Sequence, residues 1–431
     1  MKNKIIAVFL FAFVTISAQA LENDKTMETK KLRLDEAVAT ALENNTSIKQ
    51  NQIKFKQTER TYKHSWNNFL PSLNASATAT ESNGITSSDS EVRTISTGIS
   101  ASISISAGLG KKIQAAKADY ESGLLDYEDC INSIKVDVTK SFYSLLYLDK
   151  QVELNRESLA SYEEQYKQTE IKKSRGLVSE VDLLTSQLNY ETAKVTLRNA
   201  ESNYLNSLFE YLNDIGYEVE ENTMIVLDGS LDDVEDYAAF SIEEGKLEEL
   251  IDNTPSVRTV KDSINKSKLS LSQTKLDTYL PSVSLSANVN PYSTTNTIKN
   301  DSWNVSLGFT FKLDNLIPGS STSDNIKTQE ENITSLELQL ADTKKQLMTS
   351  AIEMINAIDI AKETLKNCEQ NAELAKKSYE LATVAYKNGT KDLSSLQTIQ
   401  NSYSNALVQL NNQQLNLITT VINLKSLLGL F

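Results

Sequence analysis

Apolar and polar residues alternate at every second position in four segments of the chain. The most regular segment has Ile95, Thr97, Ile99, Ala101, Ile103, Ile105 and Ala107 on one face, with serine or glycine at each position between them. Similar alternation begins at Leu73, Val283 and Trp303. Because successive side chains of a strand point to opposite faces, the pattern predicts four strands in two hairpins, about 72–107 and 282–313.

One face of these strands is apolar, and the other carries small uncharged side chains, mostly Ser, Asn and Thr. A tilted strand needs about 9 to 11 residues to cross a bilayer, and the four segments have roughly this length. The pattern favours transmembrane strands around a water-filled lumen over the alternative of a soluble antiparallel sheet. We expect the polar loops within the hairpins, 81–93 and 290–301, to be extracellular.

Four strands are too few to close a barrel on their own. An open sheet edge cannot lie in hydrocarbon, because its unpaired backbone groups would have no partners there. The chain is therefore expected to oligomerise. Two copies would give a barrel filled by its own side chains, whereas three copies would give twelve strands and leave a lumen, so a homotrimer is favoured.

Elsewhere in the chain, apolar residues recur every seven positions. The series are Ile131, Val138, Leu145, Val152, Leu159 and Tyr166 in the first half, and Ile333, Leu340, Leu347, Met354, Ala361, Cys368, Ala375 and Ala382 in the second. This step is typical of coiled-coil packing. It predicts a helix over 111–175, on the order of 100 Å long. Shorter helices are predicted over about 34–66, 179–211, 242–278 and 392–428.

A glycine turn is expected at the end of each long helix. Gly176 and Gly389 suit the left-handed position that follows a helix C-terminus. Ser179 and Asp392, three residues further on, suit the N-cap of the next helix, where a side-chain oxygen accepts a free backbone N–H. These turns are the predicted tips of two helical hairpins, far from the strands.

Landmarks of the first half recur in the second half. Leu70-Pro71-Ser72 returns 210 residues later as Leu280-Pro281-Ser282, and Gly176 and Gly216 return 213 residues later as Gly389 and Gly429. The chain is therefore interpreted as two tandem repeats. Repeat 1 covers 21–216, with the hairpin 72–107 and long helices over 111–215; repeat 2 covers 242–431, with the hairpin 282–313 and long helices over 323–428. An acidic segment, 217–241, connects them.

The first 20 residues have the features of a secretory signal peptide. They combine Lys2 and Lys4 with an apolar run over 5–16 and the small-residue sequence Ala18-Gln19-Ala20, so we expect cleavage after Ala20. The chain has a net charge of −14, which argues against nucleic acid as a partner. Its 13 glycines and 5 prolines in 431 residues favour long helices.

The sequence lacks the residue types that most catalytic and metal sites need. His64 is the single histidine, so neither a Ser-His-Asp triad nor a histidine-rich metal site is expected. We expect no enzyme activity, no metal and no cofactor. Cys130 and Cys368 are expected to stay free thiols, because their predicted positions along the helices differ by roughly 38 Å.

These features together resemble the TolC family of outer-membrane efflux proteins: strand hairpins after Leu-Pro-Ser, glycine-turn tips on coiled-coil helices, and two tandem copies. The resemblance covers nearly all of the chain after residue 20. It implies a mixed α and transmembrane β fold, in which a trimer forms a 12-stranded β-barrel in the cell outer membrane and an α-helical barrel in the periplasm. It also implies an exit duct of a tripartite efflux or type I secretion system, with a periplasmic adaptor protein and an inner-membrane pump as partners.

The resemblance also implies a gate at the periplasmic tips. Tyr386 and Lys391 match a tyrosine and a basic residue that hold the tips closed in family members, and Asp182 matches an acidic position that pairs with them. Lys391 stands where the family pattern has an arginine. Ser395 and Thr398 stand where some members carry acidic rings. The alternative is that all of these are ordinary solvated residues.

The tip turns and their caps, Gly176, Ser179, Gly389 and Asp392, are the implied docking surface for the adaptor. A different class of protein is also considered, a periplasmic or surface coiled-coil protein, structural or adaptor, without a pore. Such an adaptor is expected to carry a Gly-rich lipoyl-like β domain, and the sequence has no segment of that kind.

Overall fold

The computed structural model describes residues 28–83, 92–218, 223–243, 245–295, 298–299, 301–313 and 317–431. The predicted signal peptide lies outside these ranges, as do parts of both predicted extracellular loops. Within these ranges, no helix is both long enough and apolar enough to cross a membrane. The boundaries proposed for the two repeats stay predictions.

Most of the described chain is helical. The helices are α1 (Leu34–Asn44), α2 (Thr46–Lys63), α3 (Leu109–Ser174), α4 (Glu180–Asp214), α5 (Val234–Ala238), α6 (Leu247–Asp252), α7 (Pro255–Tyr279), α8 (Ser321–Lys387) and α9 (Leu393–Leu427). Short 3₁₀ turns lie at Ser65–Phe69 and Leu231–Asp233. α3 and α8 have 66 and 67 residues, and each packs against the 35-residue helix that follows it, α4 or α9. The result is two long helical hairpins.

The strands are β1 (Glu28–Arg33), β2 (Ser72–Ser82), β3 (Val92–Ile105), β4 (Thr223–Asp228), β5 (Ser282–Thr295), β6 (Ile298–Lys299) and β7 (Ser302–Thr310). Four of them form an antiparallel sheet in the order β2–β3–β5–β7, and β6 also pairs with β5. The two predicted hairpins are thus joined edge to edge through β3 and β5. The prediction of a loop over 290–301 was too long, because β5 continues to Thr295 and β6 follows it.

The register of the sheet places polar residues of all four strands in common rows. One row contains Ser72, Ser102, Ser286 and Ser306, and the next contains Asn74, Ser100, Asn288 and Asn304. In the first row, hydroxyl oxygens lie 2.8 Å apart between Ser72 and Ser102 and 3.0 Å apart between Ser286 and Ser306. The opposite face is apolar and exposed, with Trp303 74% exposed. The sheet therefore has one hydroxyl-lined face and one uncovered apolar face.

Two of the helices predicted from the sequence are each divided in the structure. The prediction of single helices over 34–66 and 242–278 is wrong. Asn45 accepts two backbone N–H groups of α2 with its side-chain oxygen, which separates α1 from α2. Thr254 caps α7 in the same way, and Pro255 takes the first helical position. In one continuous helix these N–H groups would bond to backbone carbonyls of the preceding turn. Here they bond to the capping side chain instead, so a new helix begins.

The main hydrophobic core surrounds the middle of the long helices. Phe142, at the centre of α3, packs there with buried residues of α9 such as Leu417 and Ile418. Leu32 of β1 and Ile225 of β4 belong to the same core. These two strands pair in parallel, which the sequence did not predict.

Candidate functional site

The tip of each hairpin is a glycine turn. Gly176 has a φ of +70° and Gly389 a φ of +74°, the left-handed conformation that favours glycine. After each glycine, a backbone N–H reaches back to the helix: Leu177 donates to the carbonyl of Lys172 at 3.0 Å, and Thr390 donates to that of Ala385 at 2.9 Å. These are the bonds of a Schellman turn, and they satisfy carbonyls that the helix end leaves free.

The helices that leave the turns begin with side-chain caps. Ser179 and Asp182 form a capping box, in which the Ser179 hydroxyl accepts the Asp182 N–H and the Asp182 carboxylate accepts the Ser179 N–H, each at 3.1 Å. Asp392 accepts the N–H of Ser395 at 2.6 Å. This hydrogen bond holds the pKa of the Asp392 carboxyl below its ordinary value. Both turns are therefore fixed on either side of the glycine.

Tyr386 is buried where α8 packs against α3, and it is 6% exposed. Its hydroxyl lies 3.3 Å from that of Thr169. The ammonium nitrogen of Lys172 lies 3.7 Å from the centre of the Tyr386 ring and also donates to the Tyr386 carbonyl at 3.2 Å. Lys172 was not predicted from the sequence, because its contact with Tyr386 exists only once α3 and α8 are packed together.

A cleft of about 570 Å³ opens between the two tips. It is lined by all three predicted gate residues, Asp182, Tyr386 and Lys391. Lys172 and Asp392 lie on its walls as well. The predicted gate residues thus line one cleft, but the Asp182 carboxylate is bonded to Ser179 of its own hairpin and not to Tyr386 or Lys391. The cation in contact with the tyrosine is Lys172.

Further from the tips, polar side chains connect α3 to the other hairpin. The Ser161 hydroxyl lies 2.8 Å from that of Tyr379, Tyr162 donates to Asn401 at 2.9 Å, and the buried Gln165 donates to the buried Gln400. A small apolar cluster of Ala382, Tyr386, Leu393 and Leu396 lies beside them. Near the tips, the two hairpins are therefore joined largely by side-chain hydrogen bonds. At their middle they are joined by the hydrophobic core.

In each hairpin, a pair of stacked tyrosines joins the two helices a few turns before the glycine turn. Tyr166 stacks on Tyr190 with ring centres 5.9 Å apart, and Tyr379 stacks on Tyr403 with ring centres 5.5 Å apart. The two pairs are separated by 213 residues, the same distance as the tip glycines. Each pair holds the two helices of one hairpin together at the same height.

Residues considered for other chemistry lie apart from the tips. His64 follows the last residue of α2, and Cys130 and Cys368 carry free thiols on α3 and α8. Asn51 donates its side-chain amide to the sulfur of Cys130 at 3.1 Å. Among the described residues, no group of three or more His, Cys, Asp or Glu side chains could hold a metal ion.

The sequence matches the model of a protein family described as outer membrane efflux protein, over residues 37–210 and 247–430. The chain belongs to the outer membrane efflux protein family. This confirms the resemblance to the TolC family. Comparison with curated protein sequences gives no significant match.

Solved structures of outer membrane proteins share the fold of this efflux protein. The Campylobacter jejuni CmeC outer membrane channel has a TM-score of 0.72 at 17% identity, over 92% of this chain and 85% of that one. The open state of the Neisseria gonorrhoeae MtrE outer membrane channel has a TM-score of 0.69 at 16% identity, over 92% and 89%. The Vibrio cholerae outer membrane protein VceC has a TM-score of 0.70 at 13% identity, over 92% and 96%.

Family membership settles the broad function. The protein is an outer membrane efflux channel, a transport protein rather than an enzyme. It is located in the cell outer membrane, and its long helices extend into the periplasm. The alternative of a pore-less coiled-coil protein is not supported. Members of the family act with a periplasmic adaptor and an inner-membrane pump.

Proposed function

We propose that three copies of this efflux protein form one duct, with a 12-stranded β-barrel in the outer membrane and an α-helical barrel in the periplasm. The observation that carries the proposal is the sheet: in the described part of the chain, β2 and β7 pair on one side only. Such edges cannot face lipid, because each unpaired backbone group there is costly. Pairing β7 of one copy with β2 of the next removes every edge, and twelve strands enclose a lumen.

Exposed apolar side chains on the helices support the same assembly. One stripe on α4 consists of Val181, Leu184, Leu188 and Val195, and one on α8 consists of Ile360, Leu374, Leu381 and Val384; every one of these side chains is more than half exposed. Steps of three, four and seven residues are those of a coiled-coil seam. Packing the α4 stripe of one copy on the α8 stripe of the next would bury both and continue the duct below the membrane.

The assembly is tested by the mass of the detergent-purified protein, measured by light scattering. We expect a trimer for the wild type, and mostly monomer for Leu188→Asp and Leu381→Asp, because each places a charge in the proposed seam. Gln187→Asp introduces the same charge at an exposed neighbouring position and should stay trimeric. A monomeric wild-type protein that inserts into bilayers would overturn the proposal.

At the tips, we propose that Asp182, Tyr386 and Lys391 form the gate of the duct. The supporting observation is that all three line one cleft between the hairpins. Lys391→Ala and Asp182→Asn should enlarge the small currents of the wild-type channel in planar bilayers, since each removes a charge from the cleft. Unchanged currents would mean that the protein forms a channel but that these residues do not gate it.

The same tips, with Gly176, Ser179, Gly389 and Asp392 at their turns, are the proposed docking surface for a periplasmic adaptor that leads to an inner-membrane pump. A photo-reactive crosslinker on Lys391→Cys, in a Cys130→Ser, Cys368→Ser background, should trap a periplasmic protein in the native envelope. Lys299→Cys, at the other end of the molecule, is the matched control. Equal capture from both positions would contradict docking at the tips.

A further inference from the structure

We propose that the duct binds organic anions in the groove between α3 and α9 (the α3–α9 groove), with Lys140 as the group that holds the negative charge. The ligand is a small molecule that carries a carboxylate, sulfonate or phosphate group on an apolar body. This assigns a class of cargo to the duct, so the inference rests on the proposed function.

The α3–α9 groove has the size of a small-molecule site and a nearly uncharged lining. Its volume is about 360 Å³, which is within the range of ligand pockets. Besides Lys140, the lining includes Ser141 and Ser144 of α3, and Asn412, Leu415 and Asn416 of α9. One cation is therefore surrounded by hydroxyl and amide groups, with a single apolar side chain beside them.

The groove lies on the face of α3 that is opposite to the hydrophobic core. Phe142 and Tyr143 are buried in the core, whereas Ser141 and Ser144, on either side of them, are exposed. The core face is covered by a second layer that contains β1, β4 and α5; the ring of Tyr143 lies 5.5 Å from that of Tyr237 in α5. Such a layer would fill a duct if it lay inside. The uncovered face, with the groove, is therefore the inner wall.

The positive charge of Lys140 is not neutralised within the groove. Among the residues that the structure describes, no carboxylate lies within 4.0 Å of its ammonium nitrogen, and Asp137, one turn earlier on α3, is not part of the lining. The serine and asparagine side chains of the lining form no hydrogen bond to another described residue either. Ammonium, hydroxyl and amide groups can all donate to an anionic oxygen. The lining therefore fits an acidic head group, and Leu415 can contact the apolar body.

A second groove on the same stripe of α3 contains no charge. Asn155 and Ser158 line it, 14 residues after Ser141 and Ser144, which places it about 21 Å closer to the tips. Lys140 is the single charged residue among those that line either groove. The corresponding position of the second repeat, 213 residues later, holds the exposed Glu353. Three copies would therefore carry three anion sites, all at one height of the duct.

The experiment measures block of single-channel current by potassium benzenesulfonate, added to both sides of a planar bilayer that contains the full-length protein. We expect a reversible block of the wild type. Benzenesulfonamide, which is neutral and has nearly the same shape, should need a concentration at least about tenfold higher. Lys140→Gln should raise the half-blocking concentration of benzenesulfonate about tenfold, whereas Lys140→Arg should keep it. If Lys140→Gln does not assemble, Asn416→Ala replaces it, with an expected rise of about threefold.

Lys150 provides the matched control, since it lies on the same helix and interacts electrostatically with Asp232 of the covering layer. Lys150→Gln should block like the wild type. An equal rise in Lys140→Gln and Lys150→Gln would overturn the site in favour of long-range charge. A wild-type channel that benzenesulfonate does not block, or that the sulfonamide blocks equally well, would overturn the anion class while leaving the duct. A protein that forms no channel would instead refute the proposed function, and the inference with it.

Discussion

The ammonium nitrogen of Lys172 on α3 lies 3.7 Å from the centre of the Tyr386 ring on α8. The same nitrogen donates to the Tyr386 carbonyl, so one side chain connects the ends of the two long helices. A cation–π contact of this kind contributes about 0.5 to 2 kcal/mol. We predict that Lys172→Ala loosens the tips and gives larger single-channel currents in planar bilayers than the wild type.

Lys173 provides the matched control for that prediction. It is the next residue along α3 and pairs with Glu180 of its own hairpin at 2.9 Å, so Lys173→Ala removes the same charge without touching α8. Its currents should equal those of the wild type. Equal effects of the two substitutions would mean that net charge at the tips matters, and not the contact with Tyr386.

The cap at Asp392 should depend on pH. The ionised carboxylate accepts the Ser395 N–H, and this bond lowers the pKa of Asp392 in the folded protein relative to the unfolded chain. Its stabilising effect is therefore complete above the unfolded pKa, about 3.9, and is lost as the pH falls through the lower folded value. Thermal unfolding should show Asp392→Ala to be less stable than the wild type at neutral pH, with the difference shrinking below about pH 4.

Ser320 is an uncharged N-cap, at the start of α8, and accepts the N–H of Ser323 at 3.3 Å. The stability lost in Ser320→Ala should not change with pH in the same range. If the loss in Asp392→Ala is equally constant, ionisation of Asp392 does not contribute to the cap.

Two glycine-to-alanine substitutions should have opposite effects on stability. An added Cβ would meet no atom within 4 Å at either Gly389 or Gly110. Gly389 has a φ of +74°, where alanine costs about 1 to 2 kcal/mol. Gly110 is the second residue of α3, where alanine gains at most about 0.5 kcal/mol. The unfolding midpoint in detergent should fall for Gly389→Ala and rise slightly for Gly110→Ala; a fall of equal size in both would exclude the turn geometry as the cause.

The hydroxyl row of the sheet should control ion selectivity. Ser286 lies in the row shared by all four strands, and Ser286→Glu would place three carboxylates on the wall of a trimeric lumen. Reversal potentials in a salt gradient should shift towards cation selectivity. Ala287→Glu, on the opposite face, should instead impair insertion, because its carboxylate would meet lipid. A selectivity shift in both variants, or in neither, would contradict the assignment of the faces.

The sequence predicted the parts of the fold that have a local period. Apolar residues at every second position predict strands such as β3, and apolar residues at every seventh position predict long helices such as α3. The tip glycines are predicted because they follow the ends of these helices. The breaks at Asn45 and Thr254 were missed because one capping side chain interrupts an otherwise helical pattern. The pairing of β1 with β4 was missed because it joins two six-residue segments from distant parts of the chain.

The candidate site was predicted less completely than the fold. Asp182, Tyr386 and Lys391 were named from a resemblance, and the structure places them around one cleft. Their role as a gate stays a prediction. Lys172 carries no signal in the sequence, since lysine is common near helix C-termini and its contact depends on how α3 packs against α8.

The hydrophobic core lies at the middle of the long helices α3 and α8, far from the tips of the hairpins. Phe142 lies at the midpoint of α3, and Ala351 and Ile358 lie on either side of the midpoint of α8. Each tip is therefore about 50 Å from this pivot. A tilt of only a few degrees at the core would displace a tip by several ångströms, so a small adjustment at the well-packed centre is enough to change the width of an opening at the far end.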